Sequence, residues 1–471
     1  MTTPSQNKKV ALVNPPLPLD IGGHPQFPPL GLAYMAAVLD QNGFEVKIID
    51  CPVNEISHDQ LKAELQAFQP ALIGTGSMTP TIESAFKVAQ VAKEACPEST
   101  VVMGGPHATY CDKEVLASDK NVDLIVRGEG EETLLELAKQ PQTGMKLGDI
   151  KGITIRHGEE IVRTANRPFI QDLDAVPLPG YKFLNLKKYF VAKRKLLPVI
   201  TSRGCPYACS FCVASQMFGQ KFRARSPKNV LMELEWLQNE YGAEGIAFQD
   251  DTFTFDRKRV VEICNGMIER KLKLHWGCGT RADVVNKETL DIMAKAHCDE
   301  TMFGVEAGCA SMRAILKKGV TNEQIQNAIK WAKEAGMFVT VSVILGYPGE
   351  TRETLQETLD FAGKLKPDDV WLCHATPYPG THLREIVVEK GWAMSQDWKT
   401  YNTMNPIFED PNLPAKEIAE MRRRFYNKFY NPAYILRQAN KGYLKGNLYS
   451  KIMTRTAINY NLWRVMSMFH R

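Results

Sequence analysis

Two long series of alternating apolar runs and amphipathic stretches narrow what this chain can form more than any other feature. The first, over residues 8–140, reads as strand Lys9–Asn14, helix Leu30–Asn42 with Gly43 as its C-cap, strand Glu45–Asp50, helix Asp59–Phe68 and strand Ala71–Thr75. Helix Ile82–Ala95, strand Thr100–Met103, strand Val122–Val126 and a helix near Glu132–Lys139 complete it. Strands spaced by helices of this length join as parallel neighbours through right-handed crossovers, so this half predicts a doubly wound parallel sheet that binds its ligand at the strands' carboxyl ends. The second series, residues 198–380, repeats a strand–helix unit six times, with strands Pro198–Ser202, Gly245–Phe248, Leu274–Gly277, Thr301–Val305, Phe338–Leu345 and Asp369–Cys373. Six such units close most of a βα barrel, where chemistry sits at the carboxyl ends of the strands. Between the two series lie a hairpin, Gly152–Ile155 with Glu160–Val162, and a linker stiffened by Pro168, Pro177 and Pro179. The predicted division is therefore 1–145, 146–197, 198–380 and a helical C-terminal region, 381–471, with prolines at 406, 411, 414 and 432.

The first strand of the second series leads into Cys205-Pro206-Tyr207-Ala208-Cys209-Ser210-Phe211-Cys212. Three thiolates on one short loop can hold three irons of a [4Fe–4S] cube and leave the fourth open to a small molecule. Structural zinc usually takes paired Cys-x2-Cys or Cys/His sets, and no second close pair exists among Cys51, Cys96, Cys111, Cys264, Cys278, Cys298, Cys309 and Cys373. A disulfide framework suits small secreted domains, whereas these cysteines are scattered through a long chain whose polar start lacks a signal-peptide pattern, so a reducing cytoplasm is the expected setting. The Cys-x3-Cys-x2-Cys run resembles the signature of the radical S-adenosylmethionine (SAM) superfamily. That resemblance implies that the open iron chelates SAM and that an electron from the cluster cleaves SAM to a 5′-deoxyadenosyl radical. It also implies roles at the strand ends: Asp250 and Asp251 for the SAM ammonium, Arg281 for its carboxylate, Glu306 for the ribose hydroxyls or the ammonium, and Tyr347 of Gly346–Glu350 against the adenine. Gln249-Asp250-Asp251 stands where the superfamily often has Gly-Gly-Glu, and each of these polar residues could instead serve as a turn cap or a rim ion pair.

In the first series the strand ends are rich in small residues: Gly74–Thr79, Gly104-Gly105-Pro106-His107 and Arg127–Glu131. Glycine admits a bulky ligand to the backbone, and Ser and Thr hydroxyls can bond its polar edge. With Val13-Asn14-Pro15-Pro16 and Pro28-Pro29-Leu30-Gly31-Leu32 ahead of them, these segments resemble the Rossmann-like cobalamin-binding domain that precedes many radical SAM enzymes. The resemblance implies contacts to cobalamin from Thr75, Ser77, Thr79, Gly104, Gly105, His107 and Glu129. The cobalt-ligating pattern Asp-x-His-x-x-Gly is not matched, since Asp20-Ile21-Gly22-Gly23-His24 has the wrong spacing, and no cobalt ligand is assigned. His107 could face the corrin or act as a structural hydrogen-bonding residue.

The net charge of +5 hides an asymmetry: Met421–Arg471 carries eleven Lys/Arg, ten aromatics and no Asp or Glu, which leaves the rest of the chain mildly acidic. An amphipathic segment at an anionic membrane and a tail that packs its aromatics on the barrel both fit; no recognised RNA module is present, and no nucleic acid is expected. No run reaches the roughly 18 uninterrupted apolar residues of a membrane-spanning helix. Together these readings describe a cobalamin-dependent radical SAM enzyme that functionalises an unactivated carbon by methyl transfer. A cyclase acting on a porphyrin or an enzyme acting on a lipid is the alternative; a non-catalytic iron–sulfur or cobalamin sensor would not need the SAM-pocket residues. The expected partners are a small-molecule or lipid-like substrate and a low-potential donor of flavodoxin or ferredoxin type. The expected location is the cytoplasm, with the tail peripheral to the membrane.

Overall fold

The computed structural model describes residues 7–17, 27–189, 195–444, 450, 453–455 and 457–458. The Asp20–His24 segment, the polar start Met1–Gln6 and tail residues such as Trp463 and Phe469 lie outside these.

Strands β1 (Lys9–Asn14), β2 (Glu45–Asp50), β3 (Leu72–Gly76), β4 (Thr100–Gly104) and β5 (Leu124–Val126) run parallel, and β6 (Ile153–His157) and β7 (Glu160–Arg163) extend them antiparallel in the order β2-β1-β3-β4-β5-β6-β7. Apolar residues bury both faces. Val13, Ile73, Val101 and Ile125 meet Leu61, Leu65 and Val88 on one side, while Leu12, Leu72, Val102 and Leu124 meet Leu32, Leu39 and Leu134 on the other. Burial on both sides is why these strands are continuous apolar runs rather than alternating ones. The hairpin placed by sequence in the linker instead adds to this sheet. Thr154 bonds the buried carboxylate of Asp112 at 2.5 Å, and Arg163 Nε holds the same carboxylate at 2.7 Å. Two short helices, Pro106–Tyr110 and Asp112–Ser118, fill the β4–β5 crossover that sequence left without a helix; at five and seven residues they are too short to show a helical period.

The second unit is a six-stranded parallel sheet curled into an open barrel. Its strands are β8 (Leu196–Val199), β11 (Gly245–Phe248), β12 (His275–Thr280), β13 (Cys298–Glu306), β14 (Phe338–Leu345) and β15 (Asp369–His374), in the order β15-β14-β13-β12-β11-β8. Leu197, Phe248, Trp276, Phe303, Val341 and Leu372 face the outer helices as one core, and Trp276 donates its indole N–H to Ala296 O at 2.7 Å. Between β8 and β11, β9 (Ser202–Arg203) and β10 (Arg223–Ala224) pair antiparallel and clasp the base of the cysteine loop.

As an edge strand, β15 exposes backbone groups that need partners. The C-terminal helices supply them through tyrosines four residues apart. Tyr426 Oη accepts Leu372 N–H at 3.1 Å and donates to Val370 O at 3.2 Å, Tyr430 bonds the Asp369 carboxylate at 2.9 Å, and Tyr434 donates to Asp368 O at 2.6 Å. Part of the aromatic content of the tail thus packs on the barrel.

The two units are joined by a buried ionic quartet. Glu129 accepts from Arg203 at 3.1 Å and from Arg223 at 2.9 Å, and Glu131 accepts from Arg203 at 2.6 Å. The Ile170 backbone N–H completes the Glu129 shell at 2.7 Å. Burial lowers the pKa of Arg203, but Glu131 and Glu129 outweigh it and hold the guanidinium above its ordinary value. Removing one member of a buried, mutually compensated set leaves charge without a partner. Glu129→Ala is expected to destabilise the protein by about 3–5 kcal/mol, read as a lower urea midpoint; an unchanged midpoint would show that the quartet does not hold the units together.

Candidate functional site

The cysteine loop stands at the carboxyl mouth of the barrel. Gly204 (φ +86°) starts it where a Cβ would lie 2.4 Å from Lys221 O, so only glycine fits. Cys205 N–H then bonds Gly219 O at 3.1 Å, and a turn bonds Cys212 N–H to Cys209 O at 3.1 Å. Ser210 is held on all sides: its N–H by Leu316 O at 3.1 Å, its carbonyl by Leu383 N–H at 2.9 Å, and its hydroxyl by Tyr347 Oη at 2.8 Å. Cys205, Cys209 and Cys212 are partly exposed free thiols, as is Cys373 on β15, while the other cysteines are buried. Among the described residues no three His, Cys, Asp or Glu side chains converge to hold a single metal ion. A four-iron cube takes its thiolates at separate corners, and a three-thiol loop suits that donor set.

Cations gather at one of these sulfurs, that of Cys209. Arg281 Nη1 lies 3.7 Å from Cys209 Sγ, and its plane stacks 3.5 Å from the Tyr207 ring centroid. Burial raises the Cys209 thiol, while Lys318 and Arg281 pull it down; burial also pushes Cys212 up to about 11. Thr252 Oγ1 approaches Cys205 Sγ at 3.6 Å. Lys318, Thr252 and Ser210 escaped the sequence reading. Lys317-Lys318-Gly319 looks like an ordinary basic turn, and nothing local marks the other two.

The structure brings the SAM-side residues to the same mouth but commits several of them to the protein. Asp250 accepts from Thr201 N–H at 2.7 Å, Thr201 Oγ1 at 2.5 Å and Ser202 Oγ at 2.6 Å, so it braces the strand leading to the cysteines. Asp251 is exposed just past the end of β11, and desolvation by surrounding protein, then Asp250, raises its carboxyl to about 6. Arg281 forms a double bond pair with Asp283 at 3.0 and 2.9 Å and donates to Lys318 O at 2.6 Å, so one nitrogen remains to face Cys209. Glu306 pairs with buried Lys318 at 3.0 Å and with Ser342 at 3.4 Å. Tyr347 is buried and braces Ser210. Glu350 accepts the Gly346 N–H at 2.5 Å and thereby sets the Tyr347 turn.

Burial raises Glu350 from its ordinary 4.5 to about 7, against the N–H groups of Gly346 and Tyr347. The folded protein therefore binds the extra proton between these values, and this stabilising contribution is full below about 4.5 and lost as pH rises through about 7. Glu350→Gln keeps the acceptor oxygen without the charge. Its thermal midpoint is expected to exceed that of the parent at pH 8, with the difference vanishing toward pH 5; parallel pH profiles would exclude the raised carboxyl.

In the first unit, a cavity of about 370 Å³ opens at the carboxyl ends of β1, β3, β4 and β5. Gly74, Gly76, Gly104, Gly128 and Gly130 line it, walled by Leu12, Leu32, Met35 and Leu134. This is a slot that side chains would fill: a Cβ on Gly76 meets nothing within 4 Å. Such a slot fits the flat, largely apolar body of a corrinoid, and these residues would hold part of it. Thr75, Ser77 and Gly105 also line the slot. Thr75 Oγ1 is buried without a hydrogen-bond partner among the described residues. Ser77 Oγ is spent on Gly104 O at 3.0 Å, and a Cβ on Gly105 (φ +91°) would lie 2.7 Å from Ser77 O. Thr79, His107 and Glu129 do not line the slot. His107 shares a 3.3 Å hydrogen bond with Thr79 and meets Trp398 edge-on at 4.9 Å, and burial, then Arg384, push its pKa down to about 4. Glu129 points instead to Arg203 and Arg223, the physical reason being the quartet described above.

Gly76→Val is expected to fold as stably as the parent, because its side chain enters open space, and to lose copurifying corrinoid absorbance. Retained absorbance would place the ligand elsewhere. Gly105→Ala is expected to unfold at lower temperature even without corrinoid, since its backbone is left-handed.

Fold and site together define a two-domain enzyme that carries a three-thiol iron–sulfur loop at the mouth of a partial barrel and a flat-ligand slot in the sheet beside it. The chain matches the Radical SAM superfamily over residues 199–362 and the B12 binding domain over residues 24–138. It is 34% identical to an uncharacterized methyltransferase of Pyrococcus horikoshii over 86% of this chain and 88% of that protein. It is also 34% identical to the anaerobic magnesium-protoporphyrin IX monomethyl ester cyclase of Cereibacter sphaeroides, over 86% of this chain and 67% of that one. The solved structure of TsrM from Kitasatospora setae, with cobalamin and [4Fe–4S] cluster bound, shares the fold at a TM-score of 0.76, covering 97% of this chain and 100% of that chain at 17% identity. The chain belongs to the cobalamin-binding radical SAM superfamily, and its cofactors are a [4Fe–4S] cluster, SAM and cobalamin.

Proposed function

We propose that this protein cleaves SAM to a 5′-deoxyadenosyl radical at the Cys205–Cys212 loop and uses the radical to methylate an unactivated carbon. The observation that carries this reading is a shared segment, Arg127–Glu131. Gly128 and Gly130 line the corrinoid slot, and Glu129 and Glu131 grip the arginines that clasp the cysteine loop. One segment thus ties two cofactor sites together. When bound, the cluster supplies an electron and the corrinoid a carrier for a methyl group. The chain's own residues orient these groups. Tyr347, Leu316 and Leu383 hold Ser210 and with it the flanking cysteines. Arg281 and Lys318 place positive charge beside Cys209. Asp251, which keeps an open carboxylate, takes the SAM ammonium. The electron comes from a low-potential donor of flavodoxin or ferredoxin type, and the substrate is a small or lipid-like molecule. Ring formation is the second reading, because identity to the cyclase equals identity to the methyltransferase.

The test uses anaerobically reconstituted protein, SAM carrying an isotopic methyl group, and cell extract. Parent protein is expected to release 5′-deoxyadenosine and to label a product. The C205A/C209A/C212A variant is expected to lack both the iron and the cleavage, since each thiol supplies one iron ligand. Cleavage by that variant would overturn the cluster assignment, and cleavage by the parent without label transfer would favour the second reading.

A further inference from the structure

On the outside of the barrel, away from the cysteine mouth, a groove of about 620 Å³ runs between helix Arg352–Lys364 and the C-terminal helices Ala415–Phe429 and Pro432–Ala439. Its floor is apolar, with Leu359, Phe425, Phe429 and Tyr434. Its rim carries Lys364, Lys366, Lys428 and Arg437 against one acid, Asp360. Among the described residues none of these four cations has a carboxylate within salt-bridge distance, and Asp360 is already bonded to Gln356 at 3.1 Å. Lys333 extends the basic rim past Lys364, and Lys330 beside it pairs with Glu334 at 3.9 Å. Beside the groove, Pro432, Ala433 and Leu436 form an exposed apolar stripe on one helix face, with Leu436 72% exposed.

The C-terminal helices bring no acid to this rim, because residues 421–471 contain no Asp or Glu. An apolar stripe flanked by unpaired lysines matches an anionic bilayer: lysines are drawn to anionic headgroups while apolar side chains enter the headgroup–acyl boundary. Protein interfaces, by contrast, are depleted in lysine. We propose that this face, from Lys364 and Lys366 across Lys428 to Leu436, seats the protein on an anionic phospholipid surface. The lysines take the lipid phosphates, Leu436 and Ala433 enter the boundary, and the groove floor accepts part of an acyl chain. The proposal stands apart from the catalytic reading, since none of these residues belongs to the cofactor sites.

The test is flotation of full-length holoprotein with phosphatidylcholine vesicles with and without phosphatidylglycerol. Parent protein is expected to float with the anionic vesicles only and to release as salt rises. K364Q/K366Q/K428Q is expected to bind about a hundredfold more weakly, and Leu436→Ser about tenfold more weakly. Both variants change exposed side chains, so thermal midpoint and iron content should match the parent. Inorganic phosphate added at constant ionic strength is expected to leave flotation unchanged. Flotation equal with neutral vesicles, no flotation of the parent, parent-like binding by the triple variant, or release by phosphate would each overturn the proposal. The last would mark a soluble-anion site, and absent flotation would leave an acidic protein as the partner.

Discussion

The relation between the two halves of this enzyme depends on four buried charges. Glu129, Glu131, Arg203 and Arg223 are buried, and their hydrogen bonds go to one another and a few backbone groups. Such a set contributes little net stability over a well-packed apolar patch, but it tolerates only one arrangement. Arg203 and Arg223 sit on β9 and β10, the two strands that clasp the cysteine loop, while Gly128 and Gly130 alternate with the glutamates and line the slot. In this irregular turn before the helix that starts at Glu131, the glycines border the slot and the carboxylates meet the arginines.

That alternation was present in the text as Arg127-Gly128-Glu129-Gly130-Glu131, yet its meaning could not be read there. The glycines suggested a ligand and drew Glu129 into the same reading, because its partners lie 74 and 94 residues away. Asp250 is likewise taken by partners far along the chain, whereas Arg281 is taken chiefly by a near neighbour. Both were placed at the correct strand ends, but the hydroxyls that occupy Asp250 come from the strand before, and the carboxylate that occupies Arg281 lies in the following turn. What was legible is what a local pattern carries: strands buried on both faces, six repeated units, and three ligands within one loop. Residues that act through distant partners, such as Lys318 and Tyr347 with Ser210, leave no period and no spacing.

The tail shows how one composition can serve two surfaces. Tyr426, Tyr430 and Tyr434 turn inward, where their hydroxyls bond the β15 backbone, the Asp369 carboxylate and the Asp368 carbonyl in turn. Edge strands are commonly blunted by charge or proline; here one tyrosine hydroxyl takes two backbone positions of the edge, Leu372 N–H and Val370 O. Lys428 and Leu436 turn outward from the same helices. Sequence saw aromatic and basic residues interleaved and could not separate the faces, because the helix break at Asn431 shifts the period midway.

At the centre of the barrel, the pair of Glu306 and Lys318 required two backbone concessions. β13 carries a register shift against β14 between Gly304 and Glu306, and Glu306 itself is left-handed at φ +63°. A bulge of this kind re-aims the side chain that follows it, and a non-glycine residue in the left-handed region persists only when its surroundings compensate. The compensation is the ammonium of Lys318 at 3.0 Å. Gly304 makes the room: a Cβ there would lie 2.3 Å from Glu306 Oε1 and 2.6 Å from Lys318 Nζ. The glycine, the bulge and the ion pair are therefore one device, and no part of it works without the other two. Its product is a cation held by Glu306 where its charge reaches Cys209 and pulls the thiol down.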